Sequence, residues 1–509
     1  MNSRDKSEIR NPKSEIQTVA VIGMGIEGGS LARYFLRQRA DVTVHHWMSL
    51  EKLKEDPKLG PQYRELTTAG ASFSTGKAYL TDLTKHDVVG ILQSAFTYKY
   101  PENRPALDEV RNLGIPLVTN LSIFFDHCPA PIIGVTGTNG KSTTTEMAAA
   151  VLARGPRQVW AGGNLGASPL DALDDLAPED LVVLELSNYQ LEFLDESPWI
   201  AAVTNIAPDH LVDYDGDYGA YKAAKRRIMD FQSHEDWAVL NHDDPIAKAW
   251  HAACWAQPFP FSRQTTLAQG AFVRDDTIVV RHGDDAVTIC QVDALQVRGG
   301  HNVENALCAA AIGVLAGISN DDIAAALLEY TLGEHKLEFV GEWSGVHVYN
   351  DSKSTSPSST LAAVRAFPDQ PVILLAGGRD KGLPWDELAQ VVHESCKEVI
   401  VFGEARDMLE QAFGDFGFRM LRPGSAQVSD FEEPRRRPFA KLRAGSGSVE
   451  GTELTVKKCE SLDEAVETAF SDAQPGDVVL LSPACTSFDA FDNYAERGRH
   501  FKQLVISNQ

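Results

Sequence analysis

The chain has 509 residues, with 47 Lys plus Arg against 71 Asp plus Glu and a formal net charge of −24. That excess of carboxylates opposes non-specific attraction to nucleic acid phosphates or anionic membranes, so small molecules are the expected partners. At roughly 100–200 residues per domain the length calls for two to four packed cores, and three are expected.

In chain order, Lys6-Ser7-Glu8-Ile9 recurs as Lys13-Ser14-Glu15-Ile16, and residues 1–17 read as a polar tail with no apolar stretch of the signal-peptide kind. From Thr18 the pattern changes. Val19-Ala20-Val21-Ile22 reads as a buried strand, Gly23-x-Gly25-x-x-Gly28 follows, then an amphipathic stretch over residues 30–37 and a second strand at Val42-Thr43-Val44, which together make a βαβ opening. A second opening starts at Ile132-Ile133-Gly134-Val135, passes a glycine-rich loop and enters a predicted helix over residues 143–153. Further strands are predicted at Leu181-Val182-Val183-Leu184 and Ala201-Ala202-Val203. A third α/β set begins near residue 333, with strands at Val372-Ile373-Leu374-Leu375, Val399-Ile400-Val401-Phe402 and Val478-Val479-Leu480-Leu481.

Strands alternating with helices predict an α/β fold of doubly wound parallel sheets, in which ligands sit beyond the carboxyl ends of the strands. The expected division is an N-terminal Rossmann-like domain over 18–126, a central domain of the nucleotide-phosphate-binding type over 127–332 and a Rossmann-like C-terminal domain over 333–509. Residues 422–453 carry Pro434-Arg435-Arg436-Arg437-Pro438 and Gly445-Ser446-Gly447-Ser448, which reads as a surface insertion rather than a nucleic-acid tether. Seven scattered cysteines without a C-x-x-C pair suggest neither zinc site nor disulfide framework. No stretch approaches ~18 uninterrupted apolar residues. A cytoplasmic protein is expected.

Gly137-Thr138-Asn139-Gly140-Lys141-Ser142-Thr143 offers backbone N–H groups, a helix N-terminus, Lys141 as a point charge and Ser142 or Thr143 as a magnesium ligand, each of which suits a triphosphate. The strict G-x-x-x-x-G-K-[ST] spacing is not met, because Val135 stands where the first glycine belongs. The plain alternative is a glycine-rich turn with a solvated lysine, and the strand before and helix after favour the phosphate reading. Glu185 ends a predicted strand, where a carboxylate can hold a magnesium ion, although strand-end glutamates are commonplace. His210 closes Asn205-Ile206-Ala207-Pro208-Asp209-His210 and is either a metal or substrate contact or a satisfied structural histidine. Over residues 221–228 a helix is predicted whose buried face holds Tyr221, Ala224 and Ile228, so Lys225, taken by itself, reads as solvated.

In this order, together with His301-Asn302-Val303-Glu304-Asn305, Asn350-Asp351-Ser352-Lys353-Ser354-Thr355 and Ser482-Pro483-Ala484-Cys485-Thr486-Ser487-Phe488-Asp489, these motifs make a chain that resembles the Mur ligases of peptidoglycan synthesis. The resemblance covers roughly 18–420 and 454–509. It implies that Gly137, Thr138, Asn139, Gly140, Lys141, Ser142 and Thr143 hold ATP, and that Ser142, Glu185 and His210 organise two magnesium ions. Lys225 matches a lysine that the family carbamylates into a magnesium ligand, which overturns the solvated reading, and Lys141, His210 and Lys225 become the catalytic set. Asn302 and Asn305 match an adenine-proximal pair and Asp351 a ribose contact, with Lys353 closing over ATP. Lys353, Thr355, Lys381, Ser487 and Phe488 match positions that receive the incoming amino acid. Gly25, Ile26, Glu27, Asn164, Ser187, Asn188 and Gln190 fall on other substrate positions, as do His335, Lys336 and Tyr494.

The stretch Glu185 to Glu192 resembles the branch of the family that adds D-glutamate to UDP-N-acetylmuramoyl-L-alanine. The implied reaction passes through an acyl phosphate, in a monomer without nucleic acid or membrane partners; D- against L-glutamate stays open. Three departures stand out. Lys336 replaces the usual Arg, His45-His46 stands where an Asp is usual, and Ser94-Ala95-Phe96 replaces a Ser-Pro-Gly turn, so the UDP contacts are the ones set apart. The rival readings are an NAD-dependent oxidoreductase on the strength of Gly23-x-Gly25-x-x-Gly28, a non-catalytic nucleotide-binding protein and a folylpolyglutamate-type ligase. The first lacks the acidic residue expected ~20 positions after the fingerprint.

Overall fold

The computed structural model describes residues 16–92, 100–164, 166, 168–420 and 454–507. Residues 1–15 of the expected tail, the Ser94-Ala95-Phe96 turn and the 422–453 insertion therefore lie outside the described residues. The chain divides into two compact units, Met1–Leu295 with Val303–Tyr330, and Gln296–Asn302 with Thr331–Gln509. Among the described residues no helix is long and apolar enough to cross a membrane.

The first unit opens with a five-stranded parallel sheet, β1 (Thr18–Ile22), β2 (Asp41–His46), β3 (Ser72–Thr75), β4 (Val88–Gly90) and β5 (Leu117–Val118), in the order β3-β2-β1-β4-β5. The unbroken apolar run of β1 is buried at every residue from Val19 on, as a strand covered on both faces requires. Leu31, Ala32 and Phe35 of the helix Gly25–Arg37 pack onto Val19, Val21, Val42 and Val44. Ile16 leans on the same core, and the N–H of Gln17 donates to Asp87 at 3.0 Å.

The same unit holds a second parallel sheet of β6 (Ile132–Thr136), β7 (Val159–Gly163), β8 (Leu181–Glu185), β9 (Ile200–Val203), β10 (Trp237–Leu240) and β11 (Gln257–Pro258), ordered β11-β10-β9-β6-β8-β7. The chain fills β7 and β8 on one side of β6 and then β9 on the other. That reversal opens a crevice at the carboxyl end of β6, where the glycine-rich loop lies. A small sheet not anticipated from the sequence follows, with β12 (Phe261–Ser262), β13 (Gly270–Arg274), β14 (Thr277–His282) and β15 (Asp285–Gln291), antiparallel from β13 to β15.

The second unit is built on β16 (Glu338–Trp343), β17 (Val346–Asn350), β18 (Val372–Gly377), β19 (Cys396–Phe402), β20 (Thr455–Lys458) and β21 (Val478–Ala484), ordered β16-β17-β21-β18-β19-β20. Only β16 runs antiparallel. The last strand inserts between β17 and β18, so the loops that leave these three strands are neighbours.

The histidines of the first sheet are a liability in acid. His45 and His46 end β2 nearly buried, and the Nε2 of His45 has no hydrogen-bond partner. Burial pushes both, and His86 edge-on to His45, below the usual histidine pKa of 6.5. The unfolded chain then takes up more protons than the folded one once the pH drops below 6.5, so stability held above that value is lost as the pH falls. Each proton of excess uptake steepens the loss by about 1.4 kcal/mol per pH unit. Chemical denaturation followed by circular dichroism between pH 7 and 5 should show this decline, and His45→Gln should flatten it. Parallel curves for the two proteins would contradict the assignment.

Candidate active site

The loop after β6 is shaped by two glycines whose backbone is left-handed and leaves little room for a Cβ. Gly137 has φ +150° and a Cβ there would lie 1.9 Å from the Thr204 hydroxyl; Gly140 has φ +82° and its Cβ would lie 2.5 Å from Asn305 Oδ1. Between them the loop is sewn to the loop after β9. Thr138 N–H donates to Asn205 O at 2.7 Å, Asn139 N–H to Asn205 Oδ1 at 2.9 Å and Thr204 Oγ1 to Asn139 O at 2.6 Å. The helix Lys141–Leu152 then starts two residues earlier than expected and without a side-chain cap, so its positive end faces the loop. Lys141 Nζ curls back to Gly137 O at 3.0 Å and Thr138 O at 2.8 Å. Ser142 and Thr143 sit half-buried in the first turn, and Thr144 Oγ1 donates to Asn305 Oδ1 at 3.0 Å.

Glu185 ends β8 one strand away from this loop and is 2 % exposed. Its Oε1 accepts from Asn164 at 2.8 Å, while its Oε2 is buried with no hydrogen-bond partner. An orphaned buried carboxylate oxygen is costly unless something cationic completes it, and a hard divalent cation does so. Among the described residues no three His, Cys, Asp or Glu side chains converge on one point. A magnesium ion here would thus draw on Glu185, Ser142 and phosphate oxygens, in keeping with its preference for few protein ligands.

Lys225 lies on the helix Tyr218–Asp230, capped by Asp217, whose buried positions are Tyr221, Ala224, Lys225, Ile228 and Met229. The solvated reading of Lys225 is therefore corrected. It stands four residues after Tyr221, on the same face, and Nζ reaches Gly137 O at 2.6 Å across 88 residues. Burial, and then the charge of Lys141, push its pKa well below the lysine norm, against the pull of Asp209 and Glu185. His210 adopts a left-handed conformation, φ +52°, with Nδ1 2.9 Å from the Tyr189 hydroxyl and Nε2 3.5 Å from Asp209. Tyr189 also bonds to Asp213. Tyr189 and Asp209 thus hold the His210 ring in one orientation.

Of the remaining sites in this unit, Ser187 and Gln190 cap a single helical turn, Asn188–Leu191, and bind each other at 3.1 Å, while Asn188 donates to Tyr214 at 2.9 Å. Gly25, Ile26 and Glu27 begin the helix after β1, with Ile26 59 % exposed beside an open cleft of about 790 Å³. Sequence reasoning missed Gln62, whose amide pairs with both sides of Gly25, Oε1 with N–H and Nε2 with C=O, at 2.9 Å each. Asn305 is accounted for above. Asn302, at the start of the helix Gly300–Leu315 and in the second unit, donates to Arg298 O at 2.7 Å.

In the second unit Asp351 follows β17. Its carboxylate takes Leu337 N–H at 3.0 Å and Ser482 Oγ at 2.8 Å, and burial pushes its pKa up to about 6 in spite of those bonds. The backbone at His335 (φ +66°) and Leu337 (φ +47°) is left-handed, and Lys353 N–H donates to His335 O at 3.1 Å, which ties Lys336 to the Asp351 loop. His335 itself is buried, bonded to Asn350 at 2.8 Å, with its pKa lowered by burial. Lys381 donates to Thr355 at 3.2 Å, the Lys353 ammonium lies 6.0 Å from the Tyr494 ring, and Phe488 stands 61 % exposed beyond nearly buried Ser487. Two cations, two hydroxyls and two exposed rings thus share one end of the sheet.

Residues 135–313 match the Mur ligase middle domain and residues 335–485 the Mur ligase glutamate ligase domain. The chain is 36 % identical over 491 residues to a UDP-N-acetylmuramoylalanine–D-glutamate ligase of Symbiobacterium thermophilum, covering 96 % of this chain and 98 % of the relative. It is also 36 % identical over 502 residues to the protein of that name from Acetivibrio thermocellus, at 99 % and 98 % coverage. In fold it resembles the MurF ligase of Thermotoga maritima in complex with ADP, with a TM-score of 0.55 at 13 % identity over 92 % of this chain and 96 % of that one. The UDP-N-acetylmuramate–alanine ligase of the same organism gives 0.54 at 17 % identity, covering 97 % and 100 %.

Proposed function

The chain belongs to the Mur ligase family, and on that premise we propose that it joins D-glutamate to UDP-N-acetylmuramoyl-L-alanine with hydrolysis of ATP, a step in building peptidoglycan precursors. It is an ATP-dependent acid–amino-acid ligase. The observation that carries the site assignment is the phosphate loop, whose glycines admit no Cβ and whose uncapped helix and Lys141 suit an anion, facing a carboxylate with a vacant lone pair.

A carboxylate is a poor electrophile, so one acceptor carboxylate oxygen attacks the γ-phosphorus of ATP, the bond to ADP breaks, and an acyl phosphate forms. The neutral glutamate amine then attacks the acyl carbon, expels phosphate and passes an N–H proton to solvent as the amide forms. Lys141 neutralises charge on the transferring group in the first step. Magnesium, when bound, supplies further neutralisation of that charge; Ser142 and Glu185 would hold one ion, and His210 with Lys225 as a carbamate a second. Lys353 and Lys381 meet the carboxylates of the amino acid, each charge-assisted hydrogen bond contributing about 1.5–3 kcal/mol. Asp351 is assigned to the ribose and Asn302 and Asn305 to the neighbourhood of adenine. Lys336 keeps the charge of the usual arginine without its fork. The two parallel sheets of the first unit support domains over 18–126 and 127–332 and the mixed sheet of the second a third over 333–509. The net charge of −24 favours a monomer, and seven scattered cysteines without a disulfide framework fit a reducing cytoplasm.

Phosphate release should require ATP, the UDP-muramoyl acceptor and an amino acid together, and in a panel of D- and L-amino acids D-glutamate should be preferred. Turnover only with another acceptor or another amino acid would refute the substrate assignment.

A further inference from the structure

Among the described residues Arg497 is the largest side chain that is fully buried, at 1 % exposure, on the helix Tyr494–Ser507. Buried arginines ordinarily sit against carboxylates. Among the described residues Arg497 makes no ion pair, and all its hydrogen bonds end on neutral oxygens. Nε donates to Ser352 Oγ at 3.0 Å, Nη1 to Gly377 O at 3.3 Å and Cys485 O at 3.2 Å, and Nη2 to Ser352 O at 2.9 Å and Cys485 O at 3.1 Å. Burial accordingly pushes its pKa down to about 10.

The three residues it grips are spread over more than 130 positions of sequence, and each terminates or leaves one of the neighbouring strands β17, β18 and β21. Ser352 precedes Lys353 and Thr355, Gly377 precedes Lys381, and Cys485 precedes Ser487 and Phe488. Ser352 Oγ passes the connection on by donating to Tyr494 O at 2.7 Å. The backbone around the fork is held in conformations that loops do not keep by themselves. Ala484 has φ +60°, and Gly378 has φ +125°, where a Cβ would lie 2.1 Å from Thr486 O and 3.0 Å from Arg497 Nη1. A planar guanidinium with five donors in fixed directions is suited to hold three loops at once, as a lysine is not.

We propose that Arg497 is a positioning residue for the incoming amino acid: it sets the loops bearing Lys353, Thr355, Lys381, Ser487 and Phe488 at a common spacing. The inference rests on the assignment of those residues to D-glutamate. Asp351, assigned to ATP, has separate anchors in Leu337 and Ser482, so the two substrates should respond differently to loss of the fork.

The test is steady-state kinetics on the full chain, with Arg497→Lys, which keeps the charge and loses the fork, and Ser352→Ala, which removes the Oγ bonds to Arg497 Nε and Tyr494 O and leaves the guanidinium in place. Hydroxylamine trapping of the acyl phosphate without glutamate reports on the first half-reaction. The expected result is a KM for D-glutamate raised about tenfold or more in Arg497→Lys and less in Ser352→Ala. The KM for ATP should rise by less than that for glutamate, because Asp351 keeps its own anchors although Lys353 sits on a gripped loop, and trapping should persist. Should Arg497→Lys fail to fold, Ser352→Ala decides by the same split. Equal shifts for ATP and glutamate, or an unchanged glutamate KM in an active protein, would overturn the inference. A wild-type chain that releases phosphate with no D-glutamate dependence would instead overturn the functional reading beneath it.

Discussion

Lys141→Ala is expected to reduce ATP-dependent phosphate release by at least about 10²–10³-fold, the scale for loss of one pre-oriented charge at a transferring group. The side chain has two duties. It is held to Gly137 O and Thr138 O, so it stiffens the loop before ATP arrives, and its charge is the one the loop brings to the phosphates. Lys225 is bound to the same Gly137 carbonyl and is repelled by Lys141, so the substitution also disturbs the lysine next to it. Lys141→Arg should recover little, because a wider, planar cation does not fit between those carbonyls. The measurement is phosphate release under saturating substrates, with circular dichroism to show that the variant is folded. Normal turnover in folded Lys141→Ala would remove the loop from the mechanism.

Much of this was legible in the sequence because parallel strands are buried on both faces. Val19-Ala20-Val21-Ile22 and Leu181-Val182-Val183-Leu184 are unbroken apolar runs, and they became β1 and β8 with little change of boundary. β13 to β15 escaped notice because half-exposed antiparallel strands carry Arg274, Arg281, His282 and Asp285 among their apolar residues. The shape of the glycine-rich loop could be read from its glycines, since their demand on backbone and on Cβ space is local. Tertiary contacts are not local. Lys225 could have been suspected from its spacing to Tyr221 and Ile228, which places it on the buried face, but nothing in that spacing points to Gly137. Arg497, within Tyr494-Ala495-Glu496-Arg497-Gly498-Arg499-His500, looks like any charged residue of a surface helix. Its partners are carbonyl groups, which leave no mark in sequence.

Lys225 carries the prediction that most separates this chain from a generic nucleotide-binding protein. A fully buried amine whose ammonium form is disfavoured by burial and by Lys141 is nucleophilic at a lower pH than an exposed lysine. Attack of that neutral amine on CO₂ forms an N–C bond, moves a C=O π pair onto oxygen, releases one proton and leaves an anion; counted from the ammonium, two protons leave. The repulsion from Lys141 becomes attraction, while Glu185 and Asp209 become like-charged neighbours that a divalent cation would reconcile. Turnover should therefore fall in CO₂-depleted buffer and return on addition of bicarbonate. The demand for bicarbonate should grow as the pH is lowered, because protonation removes the reactive amine. Lys225→Arg cannot form the carbamate at all. It should lose about 10²–10³-fold in kcat, as expected for a metal-organising group, and show no response to bicarbonate. Equal turnover with and without bicarbonate, together with an active Lys225→Arg, would return Lys225 to the role of a buried loop anchor held by Gly137.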